Sequence, residues 1–74
     1  MNFKAAARTV LEEMGHPLHY TDITEIALES GYLSSTGHTP QTTMRARLSV
    51  DVRDNPDSLF AQTAPGVYTL RSRI

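Results

Sequence analysis

Apolar residues near the start of the chain recur at the three-to-four-residue spacing that is typical of an amphipathic helix. The six positions that would share one face are Phe3, Ala6, Ala7, Val10, Leu11 and Met14. Asn2 suits the N-cap position, and Gly15, followed closely by Pro17, stops the periodic pattern. The sequence therefore predicts a first helix over about residues 3–14.

An extended segment and a second helical pattern come next. The segment Leu18-His19-Tyr20 follows a proline and is expected to pair with a later hairpin as a third strand. Thr21 suits the N-cap of a helix that ends at Gly31. The residues expected on its inner side are Ile23, Ile26, Ala27 and Ser30. Residues 32–38 then form a predicted turn, with Leu33 as its anchor into the core.

The stretch 39–53 carries the most information about function. Thr39 is a favourable N-cap, and Pro40 suits the first helical position, where a backbone donor is not needed. The side expected to be buried is defined by Met44, Leu48 and Val52. The opposite side presents hydroxyls, a small alanine and arginines, which is a surface that a DNA major groove accepts. The pattern predicts a recognition helix.

The last third of the chain predicts a β-hairpin over residues 58–70. Pro65 and Gly66 suit the central positions of a type II turn, the second of which needs a positive φ. The side chains expected to face inward are Phe60, Tyr68 and Leu70, and those expected to face solvent are Gln62, Thr69 and Arg71. The predicted fold class is α+β, mainly α: a winged helix-turn-helix of three helices with a small β-hairpin wing, in a single domain over residues 1–74.

Composition narrows the possible chemistry. The 74 residues contain no cysteine, which excludes disulfides and thiolate metal sites. No apolar run approaches the length of a membrane span, and the N-terminus lacks a signal-peptide pattern. A soluble intracellular domain is therefore expected, cytoplasmic in a bacterium or nuclear in a eukaryote. Because the chain ends just past the last predicted strand, we expect it to be one domain of a longer protein.

The distribution of charge is more informative than its total. The formal net charge is -1, which is not the basic footprint expected of a DNA-binding domain. Residues 1–37 hold two basic and five acidic residues, a net of -3, whereas residues 38–74 hold five arginines and three aspartates, a net of +2. Positive charge therefore gathers on the predicted recognition helix and the last strand. The alternative is the ordinary charge scatter of a small domain.

Over nearly its whole length the chain resembles the HARE-type helix-turn-helix domain. The most specific segments are the run from Pro17 to Ile23, Pro-Leu-His-Tyr-Thr-Asp-Ile, and the Gly-x-Thr-Pro start of the third helix at Gly37. The other matching positions are Phe3, Ala6, Ala7, Val10, Leu11, Ala27, Gly31, Tyr32, Leu33, Met44, Leu48, Phe60 and Gly66. This winged helix-turn-helix occurs in Asx-like polycomb proteins, in chromatin factors and fused to restriction endonucleases, and a related domain begins the RNA polymerase delta subunit. The resemblance implies DNA binding and, beyond it, sensing of modified bases. Ser49 departs from the family pattern, where an aromatic residue is common, and the predicted wing is compact.

Side chains on the open face of the third predicted helix are the candidates for DNA contact. Small residues at its centre let the backbone approach base edges, and Arg45 is the first choice for a base contact. The recognition-helix candidates are Thr42, Thr43, Arg45, Ala46, Ser49 and Arg53. The candidates for DNA-backbone contact are Thr21, Thr39, Gln41, Arg47, Arg71 and Arg73. The alternatives are an ordinary solvated face for the arginines and plain helix capping for the two cap threonines.

Other chemistry finds little support in the sequence. His16 and His19 have a spacing seen in metal sites, but they straddle a proline and lack a convincing third ligand. No nucleophile elbow, phosphate-binding glycine loop or paired-carboxylate arrangement is present. The domain is therefore expected to be non-catalytic, without a metal or a small-molecule cofactor.

Three functions stay open at the level of sequence. The first is a double-stranded DNA-binding module that targets an attached effector, such as a restriction endonuclease. The second is a protein–protein interaction module of a transcription or chromatin complex, which would use the first two helices or the face around Val50. The third is a purely structural dimerisation domain.

Overall fold

The computed structural model of the protein describes residues 1–34 and 39–74. Its helices are α1 (Phe3–Met14), α2 (Tyr20–Glu29) and α3 (Pro40–Asp54). Its strands are β1 (Leu18–His19), β2 (Phe60–Ala64) and β3 (Val67–Leu70), followed by a short 3-10 turn at Arg71–Arg73. This mainly helical arrangement confirms the predicted winged helix-turn-helix fold. Residues 35–38 of the predicted turn lie outside the described residues.

The first helix begins and ends where its sequence predicts. The Asn2 side chain accepts a hydrogen bond of 2.7 Å from the backbone N–H of Ala5, which caps the helix start. Gly15 ends the helix with φ +76° and donates its N–H to Leu11 O at 3.0 Å. Met14 was predicted on the inner face but is exposed, because the last residue of the helix extends past the core.

The hydrophobic core lies where the three helices meet the sheet. Its buried members are Ala6, Ala7, Val10, Leu11, Ile23, Ala27, Leu33, Met44, Leu48, Phe60, Tyr68 and Leu70. The predicted anchor Leu33 and the predicted inner residues of the hairpin are therefore confirmed. Within the two described segments, no helix has both the length and the apolar character needed to cross a membrane.

The sheet is antiparallel, with β3 between the other two strands. Leu18 pairs with Tyr68, which confirms the predicted third strand, and Phe60 pairs with Leu70. The ladder between β2 and β3 is irregular between Gln62 and Ala64. This irregularity lies beside the wing turn, and a bulge of this kind bends the strand that carries it.

The start of α2 differs from the prediction. His19, not Thr21, occupies the N-cap, and its imidazole Nδ1 accepts from the backbone N–H of Thr21 at 3.3 Å. Thr21 is therefore the second residue of the helix. At the other end Ser30, which was predicted on the inner side, is exposed, whereas Thr24 within the helix is buried. Burial of Thr24 is tolerated because its hydroxyl donates to Tyr20 O at 2.7 Å.

Met44 and Leu48 are buried as predicted, and Val52 is half buried and packs against the core. The structure also buries the neighbouring Asp51, whose side chain is 8% exposed. Asp51 can be buried because it accepts hydrogen bonds from the side chains of Lys4, Asn55 and Ser58. Thr69 was predicted on the solvent side but is 3% exposed, because it lies in the central strand of the sheet.

Candidate nucleic-acid interface

A surface groove of about 480 Å³ lies between α3 and the wing turn that joins β2 to β3. Its helical wall consists of Thr42, Arg45, Ala46 and Ser49. Its opposite wall consists of Gln62, Pro65, Gly66 and Tyr68. We call this feature the α3–wing groove. The i, i+3, i+4, i+7 spacing of its helical wall places these residues on one face of α3.

The groove contains four of the six predicted recognition residues. Thr43 is half buried and lies outside the groove lining, as does Arg53. Arg53 continues the face of Ser49 one helical turn further and borders a neighbouring depression of about 650 Å³, which also reaches Gln62. The predicted recognition face therefore divides into a groove-lining part and an extension towards the end of α3.

Arg45 is the cation of the α3–wing groove. The ion pairs among residues 1–34 and 39–74 involve Lys4, Arg8 and Arg53, and none includes Arg45. Its guanidinium is exposed and lies near the phenol of Tyr68 on the groove's other wall. Burial raises the pKa of Tyr68, and the positive charge of Arg45 opposes that rise. The groove thus places the exposed charge of Arg45 close to Tyr68, whose ring is buried in the core beneath the groove.

The other two arginines of α3, Arg47 and Arg53, differ in their ion pairing. Arg47 is exposed, and none of the ion pairs in the described residues involves it. Arg53 donates two hydrogen bonds to the carboxylate of Asp54, at 2.9 and 3.0 Å, which raises the pKa of Arg53 and lowers that of Asp54. Both partners are exposed, so water and salt weaken this pair. Arg53 is therefore partly neutralised without being locked in place.

The predicted phosphate contacts at helix starts lie on two helices. Thr39 occupies the N-cap of α3 and Pro40 the first helical position, as predicted, but the Thr39 side chain makes no capping hydrogen bond. Gln41 is exposed in the first turn of the same helix. Thr21 lies in the first turn of α2, with its hydroxyl 2.7 Å from His19 Nδ1. Its hydroxyl is therefore already engaged within the protein.

The two arginines after β3 donate hydrogen bonds to backbone carbonyl oxygens of the same domain. Arg71 donates to the carbonyl oxygen of Pro56 at 2.7 Å. Arg73 donates to the carbonyl oxygens of Leu11 and Glu12, in the last turn of α1. Leu11 O also accepts from the Gly15 N–H, and a cation is favourable at a helix C-terminus because the negative ends of the peptide dipoles gather there. Arg73 therefore caps α1, and its geometry favours that role over the predicted contact with DNA.

Sequence reasoning did not identify the wing wall of the groove. Gln62 and Tyr68 were assigned to the two sides of the hairpin, and Pro65 and Gly66 to its turn, without a place in the site. The available signal was the alternation along β2 and β3, which puts both residues of the facing pair Gln62 and Tyr68 on one face. Which face meets α3 depends on tertiary packing.

The histidines have no metal-site geometry in the described parts of the chain. No group of three or more potential metal-binding side chains is found there. His16 Nδ1 is 2.9 Å from Pro17 O, and His19 Nδ1 faces the start of α2. The local contacts of both rings are accounted for by backbone and hydroxyl groups.

Three helices, a three-stranded antiparallel sheet and an exposed polar face on the third helix define a winged helix-turn-helix protein. Residues 1–73 match the HARE-HTH family, whose description names the helix-turn-helix domain of ASXL and restriction endonuclease proteins, and the chain belongs to this family. Membership indicates a DNA-binding helix-turn-helix domain, which is a binding module and not a catalytic one. No curated protein and no solved structure was found to match the chain.

Proposed function

We propose that this domain binds double-stranded DNA with α3 in the major groove and the wing turn beside the DNA backbone. The observation that carries the proposal is the α3–wing groove, in which Arg45 faces solvent from a surface of small and hydroxyl-bearing side chains. A helix of this kind is what the major groove admits. Family membership supports the same conclusion.

Each groove residue on α3 has a chemical role in this proposal. Arg45 donates to acceptors on a base edge, for which guanine O6 and N7 are the usual partners of arginine. Ala46 leaves room for close approach of the helix and offers a methyl group to thymine. The hydroxyls of Thr42 and Ser49 donate to, or accept from, base edges or phosphate oxygens. Thr43, half buried beside this face, supports the helix position.

Phosphate contacts supply most of the affinity in such complexes and carry no sequence information. Arg47 and Gln41 are exposed on α3 and are assigned to phosphates, together with the start of α3 next to Thr39. Thr21 is assigned to the same contact at the start of α2, where the Tyr20 and Thr21 amides already donate to Gly66 O and His19 Nδ1. Arg53 joins them when a phosphate competes with Asp54 for its guanidinium.

The family description motivates a proposal about the wider setting of the domain. We propose that the domain brings an attached effector, such as a restriction endonuclease, to DNA, and that the groove discriminates modified from plain bases. A cytoplasmic location in a bacterium, or a nuclear one in a eukaryote, goes with this role. The uncharged lining around Arg45 supports discrimination, because a methyl group on a base would meet the methyl groups of Ala46 and Thr42.

Fluorescence anisotropy with labelled duplexes, plain and modified, tests the proposal directly. About four neutralised phosphates give a slope near -3.6 when log affinity is plotted against log salt concentration. A slope near zero, or no binding of any duplex at high micromolar protein concentration, would contradict DNA binding. A preference between plain and methylated duplexes of one sequence measures base discrimination separately.

A protein-interaction role is the second candidate, and Val50 is the observation in its favour. This apolar side chain on α3 is 46% exposed, on a surface that the groove does not include. Chemical-shift mapping distinguishes the two roles. Duplex DNA should shift the amide signals of residues 39–53 and of the wing turn, whereas a protein partner should shift α1 or the neighbourhood of Val50.

A further inference from the structure

His19 makes three different kinds of contact within the fold: a strand pairing, a helix cap and a ring contact. Its backbone belongs to β1 and pairs with Val67 of β3. Its side chain caps α2 by accepting from the backbone N–H of Thr21. Its ring stacks on Tyr20, with 4.4 Å between the ring centroids and 31° between the planes. The strand pairing therefore fixes the backbone of His19, and the helix cap fixes the Nδ1 edge of its imidazole ring.

The other edge of the imidazole ring lies against the wing turn. A methyl group built on Gly66 would come within 2.7 Å of His19 Nε2 and 3.1 Å of its Cδ2. A real side-chain carbon does not approach this closely, so the ring occupies the space that any other residue at position 66 would need. The backbone N–H of Tyr20 donates to Gly66 O at 2.9 Å, which fastens the same turn to the start of α2.

Gly66 is also part of the α3–wing groove, where it faces Arg45 across the opening. The chain of contacts therefore runs from the start of α2 through the His19 ring to the wing turn, and from there to the groove. The ring has a fixed support at its Nδ1 edge and a glycine surface at its Nε2 edge. A rigid ring between two such supports sets the distance that separates them.

We propose that His19 is the positioning residue of the wing: its ring holds Gly66 at the separation from α3 that lets DNA contact both walls of the groove. The proposal rests on the DNA-binding function proposed above. It assigns to His19 two separable roles, helix capping through Nδ1 and wing positioning through the ring. Only the second bears on the groove.

Two substitutions separate these roles. In His19→Asn the short amide side chain keeps a good N-cap but removes the ring. In His19→Phe the ring is kept and the cap is lost. If the ring positions the wing, His19→Asn should weaken duplex binding by about tenfold, equivalent to about 1.4 kcal/mol, whereas His19→Phe should stay closer to the wild type. Amide hydrogen exchange at the start of α2 reports the helix cap and should rank the variants in the opposite order: faster exchange in His19→Phe, and exchange close to the wild type in His19→Asn.

A role limited to stability would not produce these opposite orders. If affinity followed the cap, so that His19→Asn bound like the wild type and His19→Phe did not, the proposal would be overturned. His16→Asn is the matched control, because His16 is an exposed histidine three residues earlier whose Nδ1 lies 2.9 Å from the Pro17 carbonyl oxygen. It should leave both measurements unchanged.

The position of the wing can also be measured without DNA. In the free protein, His19→Asn should shift the amide signals of residues 65–67 and lower their protection against hydrogen exchange. His16→Asn should leave both the signals and the protection unchanged. Unchanged wing signals in His19→Asn would overturn the positioning role, even if His19→Phe failed to fold. If instead the wild-type protein bound no duplex, the proposed function would fail, and the free-protein measurement would still decide the role of His19.

Discussion

Ser58 donates a hydrogen bond of 2.5 Å to the carboxylate of Asp51, which lies buried at the end of α3. The same carboxylate accepts from Lys4 Nζ at 3.1 Å and from Asn55 Nδ2 at 3.2 Å. The Ser58 oxygen in turn accepts from the backbone N–H of Phe60 at 3.2 Å. This cluster joins α1, the end of α3 and the start of β2, and so connects the recognition helix to the wing strands.

Asp51→Asn should lower stability at neutral pH by roughly 1–3 kcal/mol, because it removes a charged acceptor from a buried cluster. Hydrogen bonding by Ser58 lowers the pKa of Asp51 below its ordinary value. A carboxyl whose folded pKa is lowered stabilises the fold above its unfolded pKa of about 3.9 and loses that contribution as the pH falls through the folded pKa. The difference between wild type and variant should therefore narrow in acid, as urea unfolding at several pH values can show. Asp57→Asn, at an exposed aspartate between α3 and β2, is the control. A stability difference between wild type and Asp51→Asn that did not change with pH would contradict the proposed role of the carboxylate.

Arg45→Ala should weaken duplex binding by roughly 1–3 kcal/mol if the guanidinium reads a base. Arg45→Lys should recover little of this loss at a base that arginine contacts with two hydrogen bonds, because lysine lacks the planar pair of donors. Arg8→Ala removes an equal charge from an exposed site on α1 and serves as the control in anisotropy titrations. Equal losses in Arg8→Ala and Arg45→Ala would indicate a general charge effect instead of a specific contact.

Gly66→Ala should destabilise the fold more than Gly15→Ala does. Both glycines have similar positive φ values, +74° and +76°, so both substitutions carry a backbone cost of roughly 1–2 kcal/mol. Of these two positions, only position 66 brings the new methyl group against side chains, closest to the His19 ring and then to Tyr20 Cε1 at 3.3 Å. The two free energies of unfolding, measured in urea, therefore isolate the cost of the contact. Equal losses would mean that the wing moves away from His19 without resistance.

Arg73→Ala should change the stability of the fold, whereas Arg47→Ala should change the salt dependence of DNA binding. Arg73 binds carbonyls at the end of α1, so its removal should lower stability by about 0.5–1.5 kcal/mol and leave the salt dependence of DNA binding unchanged. Arg47 is exposed without an ion pair among the described residues, so its removal should leave stability unchanged and reduce the magnitude of the salt slope by about 1. Thermal unfolding and anisotropy on the same samples check both expectations. A smaller salt slope in Arg73→Ala would show instead that Arg73 contacts phosphate, as the sequence predicted.

Local signals predicted most of the fold, because each element carries its own boundary residues. Asn2 and Gly15 delimit α1, and the Pro65-Gly66 pair marks the turn of the wing. The start of α2 was misplaced because a histidine nitrogen can replace the usual hydroxyl or carboxylate at an N-cap. Nothing in residues 19–21 alone distinguishes that choice, since Thr21 is the commoner type of cap.

The candidate site was predicted on one side only. The open face of α3 follows from its helical period, and its small and basic residues were identified from the sequence. The facing wall, which contains Tyr68 and Gly66, depends on how the hairpin packs against α3. Burial of Asp51 likewise depends on Lys4, 47 residues away in the sequence. Such long-range contacts leave no periodic signal.

The central position of β3 has a consequence for how the protein is made. Among the described residues β1 and β2 pair only with β3, and β3 follows both of them along the chain and so leaves the ribosome after them. The helices can collapse together during synthesis, but no strand ladder can form until nearly the whole domain has emerged. A nascent chain that has emerged from the ribosome only as far as Gly66 should therefore display a helical intermediate without its sheet, with Phe60 lacking its strand partner Leu70.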